Sequence, residues 1–340
     1  MFITPLKSVG FLNYGKLGEN LLKKYVFPYF GVRHEDVVES AGIGVDFAVI
    51  RCSNKFMIVS TDPITGVSKD IGWYAINVNA NDVATSGNRP KFVVNVILLS
   101  DQETSSSIKK ISKDVDEACK LLDVMVVGGH SEVVKGLKNT ILVVTAFTFT
   151  EKYVTARNAL EGDVIMMTKS AGLEGTSILA REYMNNLYSI DRRTLKKALN
   201  MVKEISVVKE AEIAFSTGFV HAMHDPTEGG VIGGIYEMSV ASNLGFKVYA
   251  ERIPVAEETK KICRILNVDP LKLISSGVLL MAVDPKGEMY VKEELEKYGV
   301  KVSSIGYFSK GERLIARKGK NVVIKRSPVD ELWRLKKRLS

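Results

Sequence analysis

Cysteine is scarce in this 340-residue chain: Cys52, Cys119 and Cys263 are far apart, odd in number and never paired as CxxC. That excludes a disulfide framework and a cysteine-ligated zinc site, and the three read as small core residues. Long apolar runs are missing too. No stretch approaches the ~18 to 20 apolar residues that span a bilayer, and the N-terminal MFITPLKSVGFLNYGK lacks the apolar centre of a secretory signal. Both absences predict a cytoplasmic protein without membrane contact. The 27 Gly and 9 Pro are scattered without period, which together with a 46% hydrophobic content excludes a disordered or collagen-like chain.

What is present is a chain able to bury a sizeable core. At about 100 to 200 residues per domain its length predicts two domains. Lys and Arg outnumber Asp and Glu by 47 to 39, a net charge of +8. Residues 311–340 alone hold ten basic against three acidic side chains, so the excess is mostly a property of the tail. No recognition motif accompanies that charge, which argues against a nucleic-acid partner. The tail reads instead as the solvated face of a closing helix over 328–339, with Leu332, Trp333, Leu335 and Leu339 on its buried side. Its rival reading is a module for an anionic partner, built on residues 327–340.

Apolar runs alternating with helix-period segments predict mixed α/β structure. Strands are expected at 47–52, 56–61, 92–99, 124–128 and 140–149, and helices over 71–86 and 105–122, the second opened by a serine cluster suited to capping. The pattern restarts after Glu151, so an N-terminal domain is drawn over 1–152 and a C-terminal domain over 153–340. The second opens with a strand at 163–168 and helical segments up to residue 216, breaks at HAMHDPTEGG (221–230), and resumes with a helix over 229–241.

Four blocks fall at strand ends or strand-to-helix turns, where α/β proteins place ligands: AGIGVDFAVI (41–50), STDPITG (60–66), NANDVATSG (79–87) and VVGGHSEVV (126–134). Asp46 and Asp62 lie at opposite ends of an expected hairpin. Asp82, next to Asn81, sits in a helix where Val78, Val83 and Ala84 hold it close to an apolar layer, an expense unless a ligand or ion uses it. Taken singly, an Asp in a turn bonds its own backbone and an Asn on a helix faces water. As a set, such oxygens suit Mg2+, with phosphates and water completing its shell. VVGGHSEVV is neither a Walker A loop nor GxGxxG, but Gly128 and Gly129 let backbone amides approach a phosphate. His130 and Glu132, two apart on an extended backbone, share a proton or an ion, or form a structural pair. HAMHDPTEGG gathers His221, His224, Asp225, Thr227 and Glu228 ahead of an apolar helix. Helix capping accounts for Thr227 and the glycines; it leaves the clustering of His221, His224 and Asp225 unexplained. Zinc is disfavoured there, because the HxxH spacing lacks HExxH and a third ligand.

In chain order, GKLGENLLKKYVFPYFG (15–31), GIGVDFAVI, TDPITG, IGWYAINVNANDVATSGNRP (71–90), GGHSEVV and HDPTEGG resemble blocks of the aminoimidazole ribonucleotide (AIR) synthetase superfamily. That group includes the hydrogenase maturation protein HypE, thiamine monophosphate kinase and selenophosphate synthetase, and the likeness is strongest to HypE-like, AIR synthase-related proteins of archaea. The resemblance implies a β-rich N-terminal domain that pairs with a second subunit as a homodimer, and a C-terminal α/β domain packed on it. It also implies that ATP and Mg2+ bind in the cleft and that the γ-phosphate passes to an oxygen of a small or protein-borne substrate. In some members that oxygen belongs to an amide or carbamoyl group; in the kinase member it belongs to a phosphate. At the matching positions Asp46, Asp62 and Asp82 hold metal and phosphates, Gly128 and Gly129 form the phosphate-side turn, and Asp225 and Thr227 face the transferred phosphate. Lys16, Asn81 and Glu132 join the nucleotide contacts, and Asp82, His130 and Asp225 are the catalytic candidates. Three features depart from the pattern. Val45–Asp46 stands for paired aspartates, His130 stands where relatives carry Asp, and no cysteine follows Cys263 to receive a carbamoyl group as in HypE. They motivate the rival reading, a non-catalytic nucleotide-binding maturation or scaffold protein.

Overall fold

The computed structural model describes residues 15–65 and 69–339. The N-terminal stretch up to residue 14, Gly66 of the 60–66 block, the Leu339 side chain and Ser340 lie outside the described residues.

Six strands form the first sheet: β1 (Val37–Glu39), β2 (Ala48–Cys52), β3 (Lys55–Ile64), β4 (Phe92–Ser100), β5 (Met125–Val134) and β6 (Ile141–Thr150), in the order β1-β2-β3-β6-β4-β5. With them go α1 (Glu19–Tyr25), α2 (Ile71–Ala84) and α3 (Ser105–Leu122). All strand pairs are antiparallel except β4 with β5, the one pair that needs a helical crossover, which α3 supplies. In β6 alternate residues Leu142, Val144, Ala146 and Thr148 are buried, the two-residue period of a sheet with one face on a core. Helix α3 presents Ile111, Val115, Ala118, Cys119 and Leu122 at helical spacing as its buried stripe, and Thr104 with Ser107 forms its capping box.

Seven strands form the second sheet: β7 (Val164–Thr168), β8 (Val220–His224), β9 (Gly245–Tyr249), β10 (Leu280–Val283), β11 (Val302–Ser309), β12 (Arg313–Arg317) and β13 (Lys320–Val323), in the order β13-β12-β9-β11-β7-β10-β8. Its helices are α4 (Leu173–Glu182), α5 (Arg192–Asn200), α6 (Val208–Ser216), α7 (Gly230–Ala241), α8 (Glu257–Leu266), α9 (Glu288–Lys297) and α10 (Glu331–Leu339). The chain is thus α/β with two sheets, as its residue pattern predicts. No helix among the described residues is long and apolar enough to cross a membrane.

Helix α2 joins the halves. It is buried along almost its whole length, so its amides must find partners inside the protein. Asn81 Nδ2 donates to the Ile205 carbonyl (2.7 Å) and its Oδ1 accepts from the Val207 amide (2.8 Å). Trp73 Nε1 donates to the Val202 carbonyl (2.8 Å), and Lys169 Nζ holds the carbonyls of Glu204 and Ser206 from the other side. Residues 202–207 are therefore clamped between the two sheets. Asn81 is part of this joint, with both ends of its amide taken by backbone groups, which turns its expected nucleotide contact into a structural role.

Three further expectations change. The segment 221–230 begins as a strand, because β8 pairs with β10 from His224↔Leu280 to Val220↔Val283. The Gly128–Gly129 pair is not a turn: β5 runs through it, and a Cβ on Gly129 would lie 2.1 Å from the Asn95 carbonyl of β4, so close strand approach is what requires glycine there. Cys119 and Cys263 are buried as read, whereas Cys52 is only half-buried.

Candidate functional site

The antiparallel register of β2 and β3 (Ala48↔Val59) brings Asp46, just before β2, and Asp62, near the end of β3, to the same open end of their hairpin rather than to opposite ends. Asn79 of α2 holds that end in place: its Oδ1 accepts from the Asp62 amide (2.7 Å) and its Nδ2 donates to the Asp62 carbonyl (3.2 Å). One turn further along α2, Asp82 points the same way and accepts from Ser60 Oγ of β3 (2.8 Å). Thr85 Oγ1, past the helix end, donates to Asp46 Oδ2 (3.0 Å).

From the second sheet, β8 ends in His224, and Asp225 follows it. Asp225 is 1% exposed, and among the described residues no donor group reaches its carboxylate oxygens, against which the Asp82 carboxyl lies. Helix α7 adds Glu237, and residues 15–18 lay Lys16 across the opening. Lys16 Nζ is 3.4 Å from Glu237 Oε1, and its amide donates to Glu228 Oε2 (2.9 Å). Gly44 lets the 41–46 loop close on α7: its φ is +72°, and a Cβ there would sit 2.2 Å from the Glu237 carbonyl. The result is a cleft of about 1300 Å3 between the sheets, lined by Lys16, Asp46, Asp62, Asp82, His224, Asp225, Thr227, Glu228 and Glu237.

Charge dominates this cleft. Burial, then the charges of Asp225, Asp62 and Asp46, hold Asp82 well above the usual carboxylate range; burial, then Asp46, does the same to Asp225. Asp62 is raised too, by desolvation that Lys16 only partly opposes. Burial would lower His224, but Asp46 and Glu237 overcome it and push the imidazole up to about 10. For Glu237, Lys16 and His224 reverse the effect of burial and hold it down at about 2. A group of carboxylates that repel one another around orphaned oxygens fits hard divalent cations, which take such oxygens and neutralise them.

The remaining candidates lie elsewhere on the chain. Gly128, Gly129, His130 and Glu132 sit on β5, an edge strand whose residues are exposed from Met125 to Val133, and none of them lines the cleft of its own chain. His130 and Glu132 do face each other, with Nε2 and Oε2 3.6 Å apart. His221 leaves its sequence neighbours because it points to the other face of β8, where Nδ1 meets Asp163 Oδ1 at 2.9 Å. Trp333, read as core, is half-buried and forms part of the cleft wall, while Leu332 and Leu335 are buried. Glu237 was missed by sequence reading. Its signal was a lone acid on the otherwise apolar GVIGGIYEMSVA, a residue type seldom buried without a task.

Residues 44–149 match the family described as AIR synthase related protein, N-terminal domain, and residues 161–319 its C-terminal domain. A putative hydrogenase expression/formation protein of Methanocaldococcus jannaschii is 27% identical over 91% of this chain and 92% of its own length. A carbamoyl dehydratase HypE of Bradyrhizobium diazoefficiens is 25% identical over 68% of this chain and 67% of its own. Among solved structures, a HypE–HypF complex aligns with a TM-score of 0.75 at 21% identity, covering 90% of this chain and 99% of the other. HypE in complex with ATP aligns with a TM-score of 0.70 at 18% identity, covering 95% and 98%. These likenesses establish the fold.

Proposed function

The chain belongs to the AIR synthase-related family and carries both of its domains, and from that premise we propose that it is an ATP- and Mg2+-dependent enzyme that transfers a phosphoryl group to an oxygen of a small or protein-borne substrate. The observation that carries the reading is the convergence of Asp46, Asp62, Asp82 and Asp225, from both halves of the chain, on one cleft. Phosphoryl transfer asks a protein for positioning and charge neutralisation more than for a covalent nucleophile. Bound Mg2+ would neutralise the triphosphate and bridge it to carboxylates. Asp46, Asp62 and Asp82 would hold the cations, Thr85 and Ser60 orient the carboxylates of Asp46 and Asp82, Lys16 meets the phosphates, and Asp225 and Thr227 face the group in transit. The walls beyond the carboxylates include Glu228, Asp330 and Trp333. The test is ATP-dependent ADP formation, with phosphate release measured alongside, on a panel of carboxamides and phosphate monoesters. Release with carboxamides supports the reading, and ATP binding without turnover on either class would favour the scaffold protein.

The same reading includes a homodimer formed along β5. Among the described residues this strand ends its sheet, leaves a row of unpaired backbone groups, and exposes Met125, Val126, Val127 and Val133. Lysine is the residue that natural edge strands use to prevent such pairing. Val127→Lys with Val133→Lys is expected to convert a dimer into a folded monomer, seen as a halved mass in light scattering. An unchanged dimer mass would place the contact elsewhere.

A further inference from the structure

Asp46, His224 and Asp225 bring one potential ligand atom each to within 4.8 Å of one another, and the chain order hides it, because Asp46 lies far from the other two. Both oxygens of Asp225 are buried with no donor among the described residues. His224 Nδ1 lies 2.6 Å from Asp46 Oδ1, an ion pair whose place a cation between the two atoms would take. The opposite ring nitrogen, Nε2, is held by Glu237 Oε2 at 3.1 Å, and Glu237 is held in turn by Lys16. A carboxylate behind the far nitrogen is how proteins fix a metal-binding imidazole in tautomer and orientation.

We infer that Asp46, His224 and Asp225 form a mixed nitrogen and oxygen site for a borderline first-row divalent cation of the Co2+ or Zn2+ kind. Imidazole favours such ions, whereas Mg2+ takes oxygen almost alone. Three protein ligands leave positions for water or substrate, the arrangement of a catalytic rather than a structural site. Asp46 would then be shared with the Mg2+-binding carboxylates. The third ligand that the HxxH spacing lacks comes from the other sheet, and His221 takes no part.

The test uses the full chain freed of metal and titrated with Co2+, whose visible absorption is strong with nitrogen at low coordination number and pale in an all-oxygen octahedron. Expected are about one intensely absorbing Co2+ per chain, retained against a ~100-fold excess of Mg2+, and affinity reduced about 10- to 100-fold by Glu237→Gln. His224→Gln should lose the absorption altogether. A pale wild-type spectrum, displacement of Co2+ by equimolar Mg2+, or absorption unchanged in His224→Gln would each overturn the site. Should His224→Gln fail to fold, the wild-type spectrum and Glu237→Gln decide. Binding of Mg·ATP, measured on the same samples, separates this result from the nucleotide reading: either can fail while the other stands.

Discussion

Asp225→Asn is expected to reduce ATP-dependent phosphate release by about 10^2- to 10^3-fold and, in protein without cation or nucleotide, to raise the unfolding temperature. The two effects share one cause. Asp225 is buried, no donor group among the described residues reaches its oxygens, and its charge is opposed first by desolvation and then by Asp46. Leaving such a group unsatisfied costs about 1 to 3 kcal/mol, which the folded chain must carry until a cation arrives. Asn keeps the shape, removes the charge, and offers N–H donors to carboxylates that have none to spare. At about 2 °C or more per kcal/mol for a chain of this size, the gain is measurable by calorimetry. Activity moves the other way, because a charge placed where phosphate and metal meet is worth about 3 to 4 kcal/mol of transition-state stabilisation in comparable sites. Divalent cation should also stabilise the wild type far more than the variant, since only a group that binds the folded state shifts the equilibrium. A variant that melts lower and still releases phosphate within about threefold of wild type would mean that Asp225 is a structural residue and that the transferred phosphate lies elsewhere.

The same strain explains what could be read from the sequence. Helix α3 was legible at residue precision because it carries a single apolar stripe between a clear start and stop. Asp46, Asp62 and Asp82 were legible as acids in turns or beside apolar residues, where a charge calls for a reason. Asn81 raised the same suspicion, correctly as to burial, but its partners are backbone groups 124 and 126 residues away, a pairing that no local pattern announces. Strand β8 was read as a break because after Val220 its residues His221 to His224 include no β-branched side chain, and only its pairing with β10 makes it a strand. The metal-like grouping of His224 was invisible for a related reason: its third member comes from the other sheet. Local propensity thus fixes the elements, whereas the cleft is a product of long-range register.

A second acidic group lets the cost of buried charge be measured away from the metal candidates. Glu174 of α4 is 5% exposed, its Oε2 has no partner, and burial pushes its carboxyl up to about 7 although Ser276 opposes the rise. Asp330 is likewise raised by burial to about 7, even though it accepts from the Gly229 and Leu332 amides. A carboxyl that binds its proton more tightly when folded favours the folded state below its ordinary value and loses that contribution as pH rises to the folded value. For Glu174 the window runs from 4.5 to about 7, and at about 1.4 kcal/mol per pH unit the loss is about 3 kcal/mol. Glu174→Gln has no proton to release. Its stability, from urea unfolding of the metal-free protein, should therefore fall by about 3 kcal/mol less than that of wild type between pH 4.5 and 8. Comparing the two proteins removes the parallel contributions of Asp82 and Asp225, which titrate in both, whereas the small rise that Glu174 itself causes in Asp330 disappears with it. Parallel curves would show that Glu174 ionises at its ordinary value, so that water must reach its carboxylate.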